Sequence, residues 1–138
     1  VIVVCGKNQA LFDTLNRRQF SFPVKTLGFV ENMHEIMSVA DLLIAKPGGA
    51  TMCESLIKTL PMIILNPIPG QESANAQWLL KHNAAFQTDN PRKIKDLILK
   101  LIERPELLDS VRGSIRRTAK PHGTRDITNF ILETAARK

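Results

Sequence analysis

Two loop segments of this chain carry residue types that could bind a small polar ligand. The first, Lys46–Glu54, reads KPGGATMCE, and the second, Asn66–Asn75, reads NPIPGQESAN. Adjacent glycines let an anion approach the backbone, and a helix that begins behind them offers unpaired N–H groups and the positive end of its dipole. The amides and the carboxylate of the second segment suit a hydroxyl-rich ligand. A phosphate beside hydroxyls indicates a nucleotide sugar.

The residues around these loops must form strands and helices that bring them together. Short apolar runs predict strands over Val1–Cys5, Val24–Leu27, Asp41–Ala45, Met62–Leu65 and Ala84–Gln87. Helical spacing predicts helices over Gln9–Gln19, Met33–Ala40, Ala50–Thr59 and Glu72–His82. This alternation predicts an α/β fold, a Rossmann-like doubly wound parallel sheet, with both loops at the carboxyl edge of neighbouring strands.

The residues after the last predicted strand form a helical carboxyl-terminal tail. A helix begins after Asp89 or Asn90, either of which can cap it, and runs to about Glu103. Two further helices are predicted over Pro105–Lys120 and Arg125–Ala136. No strand is predicted in this tail, so the sheet ends before it.

The glycine loop and the helix behind it allow two interpretations. A pair of glycines can be a tight turn, or it can be a phosphate site. Thr51 and Glu54 have the spacing of a capping box, in which Glu54 would bind only the start of its own helix. The alternative is that Glu54 accepts hydrogen bonds from ribose hydroxyls, as an acidic residue does in dinucleotide-binding folds.

The second loop and the end of the second strand also allow two interpretations each. Gln71 and Asn75 share one face of the predicted helix, with Glu72 beside them, and this trio is either a sugar site or a polar helix start. Phe29 and Val30 follow a strand at the ligand edge. On general grounds Phe29 is more often a core residue than a base-stacking one.

The charge distribution separates the tail from the rest of the chain. Residues 1–90 hold seven basic and seven acidic residues, while residues 91–138 hold twelve and six, which accounts for the whole net charge of +6. The excess is either the solvated face of the tail helices or an attraction to an anionic membrane surface. Nucleic acid is not expected as a partner, because few aromatic residues lie among the basic ones and no binding motif is present.

Composition limits the remaining possibilities. No apolar run has the ~20 residues of a membrane span, and the apolar start is too short for a signal peptide. Cys5 and Cys53 are expected to be buried, reduced thiols, and neither they nor the three histidines have metal-ligand spacing. The chain begins inside a predicted strand and without Met, so it is expected to be a fragment.

The order of these motifs resembles one family. Gly28-Phe29-Val30, then GGATMCE, then PGQESAN, then Asn83-Ala84-Ala85 is similar to the carboxyl-terminal domain of inverting GT-B glycosyltransferases. The PGQE form resembles the branch of monogalactosyldiacylglycerol synthases and processive diacylglycerol glucosyltransferases. The resemblance covers about residues 1–90.

The resemblance implies a role for each motif residue. Phe29 and Val30 would flank uracil, and Glu54 would bind ribose. The diphosphate would lie against Gly48, Gly49, Ala50 and Thr51. The sugar hydroxyls would be bound by Gln71 and Glu72 after Gly70, with Asn75 supporting them. The catalytic base is expected on an amino-terminal acceptor domain outside this sequence, so no catalytic residue is assigned.

The resemblance also implies an earlier strand, central in the usual sheet order. Without it, Val1–Cys5 must pair with Asp41–Ala45 or with a segment outside this chain. The predicted function is UDP-sugar-dependent hexosyl transfer to a diacylglycerol-type lipid at the cytosolic membrane face, with residues 1–138 as the nucleotide-sugar-binding domain and no cofactor or metal. The alternatives are N-acetylglucosaminyl transfer to a polyprenyl-linked acceptor and a non-catalytic nucleotide-sugar-binding module.

Overall fold

The chain folds into two compact units, each with its own parallel sheet. The computed structural model describes residues 1–88 and 90–136. The first unit spans Val1–Ile36, and the second begins at Met37. The first contains two strands and the second contains three. The predicted α/β fold with parallel strands is therefore confirmed, and within the described residues the strands form two sheets.

The first unit is a single β-α-β repeat. Strand β1 (Ile2–Val4) pairs in parallel with strand β2 (Lys25–Leu27), and helix α1 (Gln9–Arg17) connects them. The side chain of Asn8 caps α1 by accepting a hydrogen bond from the Leu11 N–H at 3.0 Å. The helix ends two residues earlier than predicted because Arg18 adopts an extended backbone conformation.

The second unit is built on three short parallel strands in the order β3-β4-β5. These are β3 (Leu43–Ala45), β4 (Met62–Ile64) and β5 (Ala85–Gln87). Helix α2 (Met33–Ser38) precedes β3, and the crossovers between the strands are α3 (Gly49–Ile57) and α4 (Gln71–Lys81). The tail forms α5 (Pro91–Glu103), α6 (Pro105–Thr118) and α7 (Gly123–Ala136).

Strand β4 is the centre of the second unit. Its three residues are 0–1% exposed, as expected for an apolar strand of a parallel sheet that is covered on both faces. Leu79 from α4 and Ile115 from α6 pack in the same core cluster. This core anchors the strand ends from which the two predicted ligand loops emerge.

Strands β1 and β3 are partly exposed, unlike the buried strand β4. Ile2 of β1 is 44% exposed and Ile44 of β3 is 42% exposed. Within residues 1–88 and 90–136, β1 is hydrogen-bonded to β2 alone and β3 to β4 alone, so each has one edge without a described strand neighbour. Direct pairing of β1 with β3, one of the two alternatives above, is therefore wrong.

Several local predictions are refined by the structure. Asn90 caps α5 by accepting a hydrogen bond from the Arg92 N–H at 2.9 Å, whereas Asp89 lies outside the described residues. Cys5 is buried as predicted, but Cys53 of α3 is exposed, so its predicted burial is wrong. Across the described ranges, no helix is long and apolar enough to span a membrane, and no cluster of side chains suits a metal ion.

Candidate functional site

The two predicted ligand loops of the second unit leave the sheet side by side. Strands β3 and β4 are paired in parallel, with Ala45 opposite Ile64. The loop that follows β3 leads into α3 at Gly49, and the loop that follows β4 leads into α4 at Gln71. The carboxyl ends of neighbouring parallel strands share one sheet edge, so both helix starts lie at that edge.

Side-chain contacts join these two loops directly. The Asn75 side-chain amide donates a hydrogen bond to the Pro47 carbonyl oxygen at 2.8 Å and is partly buried. The Gln71 side chain lies over Gly49, where an added Cβ would be 3.4 Å from the Gln71 Nε2. The structure therefore brings together residues from both motifs that the sequence separates by more than twenty positions.

The start of α3 presents backbone N–H groups that no side chain caps. Gly48 is the residue before the helix and has no side chain to accept a hydrogen bond, and no acidic residue lies in the first turn. The N–H groups of Gly49, Ala50 and Thr51 belong to that first turn, where no helical acceptor is available to them. Uncapped amides at the positive end of a helix dipole favour an anion.

The glycine at position 48 is required neither by its backbone conformation nor by packing. Its φ of −61° and ψ of 151° are accessible to ordinary residues. A Cβ added there would meet no atom within 4 Å. The absence of a side chain thus leaves open space directly over the helix start, which allows a ligand to reach the backbone amides.

The capping-box interpretation of Thr51 and Glu54 is wrong. The helix begins at Gly49, so Thr51 lies inside the first turn and cannot be the capping residue. The Glu54 side chain is exposed one turn further along. Among the described residues, its carboxylate takes part in no hydrogen bond or ion pair. It is therefore available to a ligand.

The loop before α4 is held by its own side chains. One Glu72 carboxylate oxygen, Oε2, accepts a hydrogen bond from the Ile68 N–H at 2.8 Å, and the Ser73 hydroxyl donates to the Ile68 carbonyl at 3.2 Å. Gly70 has a φ of +103°, which side chains of L residues rarely adopt. This bond to Ile68 was not predicted from the sequence, although an acidic residue in the first turn of a helix is its usual signal.

The first unit places Phe29 at its own sheet edge. Phe29 follows β2 and is 65% exposed, so the interpretation of Phe29 as a core residue is wrong. Val30 is half-buried beside it. The Lys7 ammonium lies 5.6 Å from the centroid of the Phe29 ring, a contact that was not predicted from the sequence.

Comparison with known proteins gives relatives that match along nearly the whole chain. The processive diacylglycerol beta-glucosyltransferase of Bacillus pumilus is 33% identical over 135 residues, which are 96% of this chain and 35% of that protein. Monogalactosyldiacylglycerol synthase 2 of Arabidopsis thaliana is 30% identical over 139 residues, covering 100% of this chain and 30% of that protein. The chain thus spans about a third of the length of these relatives.

Solved structures share the fold at lower identity. Acinetobacter baumannii MurG superposes with a TM-score of 0.77 at 21% identity, over 96% of this chain and 41% of MurG. The glycosyltransferase VinC, solved with dTDP, gives a TM-score of 0.66 at 16% identity, over 91% of this chain and 32% of VinC. The model of the glycosyltransferase family 28 C-terminal domain matches residues 1–118, and the chain therefore belongs to that family.

Proposed function

We propose that residues 1–138 form the donor-binding domain of a glycosyltransferase that transfers a hexosyl group from a UDP-sugar to a diacylglycerol-type lipid, with inversion. The observation that carries the proposal is the open, uncapped start of α3. The 33% identity with a processive diacylglycerol beta-glucosyltransferase along 96% of the chain supports the lipid acceptor.

The start of α3 would bind the donor diphosphate. Negative charge develops on the diphosphate oxygen as the bond to the sugar breaks. Backbone N–H groups that are already oriented stabilise such charge without reorganisation. The amides of Gly49, Ala50 and Thr51 have this orientation, and Gly48 leaves the approach open. In this proposal the domain both holds the donor and stabilises the leaving group.

The polar side chains around this helix start would bind the two sugar rings. Glu54 has an exposed carboxylate one turn into α3, which suits the paired hydroxyls of ribose. Gln71 reaches over Gly49 and is the best-placed side chain for a hexose hydroxyl. Glu72 has one carboxylate oxygen bound to Ile68, so its other oxygen would face the sugar. Asn75 would support the site through its bond to Pro47.

Phe29 and Val30 would bind the uracil base. The 65% exposure of Phe29 leaves its ring available for stacking, and an aromatic ring on a base contributes about 1–3 kcal/mol. Val30 follows directly and would present its backbone to the edge of the base.

Calorimetric titration with UDP-glucose, UDP-galactose, UDP-N-acetylglucosamine and UDP tests donor binding. We expect UDP and at least one UDP-hexose to bind. An assay of the full-length protein with and without diacylglycerol tests the acceptor, and transfer should require the lipid. Binding of a UDP-sugar without transfer to any lipid would instead indicate a binding module. Transfer to a polyprenyl-linked acceptor alone would contradict the diacylglycerol assignment.

The same proposal places the protein at the cytosolic face of a membrane, held partly by the basic tail. The excess positive charge lies after residue 90, and most of its side chains are exposed. Each basic residue near an anionic surface contributes about 1 kcal/mol, and the attraction is screened within ~8 Å at physiological salt. Sedimentation with anionic and with neutral vesicles, at low and high salt, tests this. Failure to sediment with anionic vesicles at low salt would show that the charge is only solvated.

A further inference from the structure

The first unit carries a basic residue at its ligand edge that the proposed function does not use. Strands β1 and β2 run in parallel, with Val4 opposite Leu27. The Cys5 N–H continues this pairing by donating to the Leu27 carbonyl at 2.8 Å. The next residues of both strands, beginning at Gly6 and Gly28, therefore leave the sheet together.

The two turns that follow lie against each other. Gly6 has a φ of +57°, and an added Cβ on Gly28 would lie 3.9 Å from the Gly6 carbonyl oxygen. This close approach brings the residues after the two glycines together, so that the Lys7 ammonium lies 5.6 Å from the Phe29 ring centroid. Both side chains are exposed. The result is a cation beside an aromatic ring at the carboxyl edge of the strands.

The charge of Lys7 is not neutralised within the part of the chain that the structure describes. No carboxylate there forms an ion pair with it. Asp13 is bound by the Gln9 side chain and Glu35 by the Asn32 side chain. The other basic residues of this unit lie elsewhere, at the end of α1 (Arg17 and Arg18) and at the start of β2 (Lys25). Among the lysines and arginines of residues 1–36, Lys7 is the one that follows the carboxyl end of a strand.

We propose that Lys7 is a nucleotide-binding residue whose ammonium group binds a phosphate of the nucleoside diphosphate donor while the base lies against Phe29. The inference rests on the proposed function, and it gives the first unit a charged group for the phosphate beside the ring assigned to the base. A lysine ammonium is a compact cation on a flexible stem, which suits a phosphate group. The pairing of an aromatic ring with a cation matches the two parts of a nucleotide.

Titration of Lys7→Met with UDP and with uridine tests this role. Loss of one charge-assisted hydrogen bond corresponds to a fall in UDP affinity of about 10-fold to 100-fold. Uridine has no phosphate, so its affinity should not change. Lys7→Arg should retain most of the UDP affinity, since it keeps the charge. Lys25→Met, at the opposite end of the strand pair, is the matched control and should alter neither affinity.

The salt dependence gives a second readout. The UDP affinity of the unmodified protein should fall more steeply with added KCl than that of Lys7→Met, because one phosphate contact is already missing in the variant. Urea unfolding of both lysine variants establishes that they are folded.

Three results would overturn the inference, and each has a different meaning. Equal losses of UDP and uridine affinity would show that Lys7 only orients the Phe29 ring. An unchanged UDP affinity in Lys7→Met would show that the ammonium group is merely solvated. Absence of UDP binding by the unmodified protein would contradict the proposed function, and the role of Lys7 with it.

Discussion

The two helix starts of the second unit look alike in sequence and differ in what holds them. Both α3 and α4 begin after a glycine that ends the loop following a strand. Gly48 needs no special backbone conformation and leaves amides uncapped, whereas Gly70 has a φ of +103° and ends a loop held by Glu72 and Ser73. One glycine leaves space for a ligand, and the other allows a turn of the chain. The backbone conformation of each glycine therefore tells whether it is there for a ligand or for a turn.

Replacing each of these glycines should give the largest contrast between an effect on ligand affinity and an effect on stability. Gly48→Val places a side chain over the start of α3 in an allowed conformation, so UDP affinity should fall by about 3 kcal/mol or more, roughly 100-fold, while stability changes little. Gly70→Ala forces a side chain into a strained backbone and should lower the free energy of unfolding by about 1 kcal/mol or more. Calorimetry and urea unfolding of both variants separate the effects. Unchanged UDP affinity in Gly48→Val would show that the space at Gly48 is not used by the ligand.

Glu54, one turn into α3, should contribute to ligand binding and not to the stability of the fold. Glu54 has no described partner, so Glu54→Gln should leave stability unchanged and weaken UDP binding by about 1–3 kcal/mol. The 2′-deoxy form of UDP sharpens the test. If Glu54 binds the ribose 2′-hydroxyl, the preference of the unmodified protein for UDP over 2′-deoxy-UDP should shrink in the variant. An equal preference in both proteins would exclude this contact.

Substitution of Asn75 tests whether the hydrogen bond between the two helix starts stabilises the fold. Asn75→Asp replaces the N–H donor by a carboxylate facing the Pro47 carbonyl, with which it cannot form the hydrogen bond. Leaving this partly buried acceptor unpaired should cost about 1–3 kcal/mol of unfolding free energy. Asn66→Asp, in the loop before α4, makes the same chemical change elsewhere and is a control that retains the Pro47 bond. Equal urea midpoints for Asn75→Asp and the unmodified protein would show that the bond contributes nothing.

The smallest effect is expected for Gln71. Its amide lies over Gly49, on the side assigned to the hexose, so Gln71→Ala should spare UDP affinity. Affinity for the UDP-sugar should fall by about 0.5–1.5 kcal/mol, the scale of one neutral hydrogen bond. Comparing titrations with UDP and with the UDP-sugar decides this placement. Equal losses of affinity for both ligands would show that Gln71 contacts the nucleotide instead of the hexose.

Much of the second unit was predictable because its signals are local. The apolar run of β4 and the capping Asn90 before α5 specify their elements from neighbouring residues alone. The two loops were expected to meet because neighbouring parallel strands share an edge. Helix limits differed by a residue or two, since the last turn depends on packing and on the conformation of single residues such as Arg18.

The sequence by itself determined the α/β alternation, the two loop motifs and the confinement of excess positive charge to the tail. It could not decide between a capping box and an available carboxylate at Glu54, because that depends on whether α3 begins at Gly49 or only after Thr51. Nor could it show that Asn75 binds Pro47 or that Lys7 reaches Phe29. Each of these contacts joins residues more than twenty positions apart, and only the parallel pairing of the strands brings them within reach of one another.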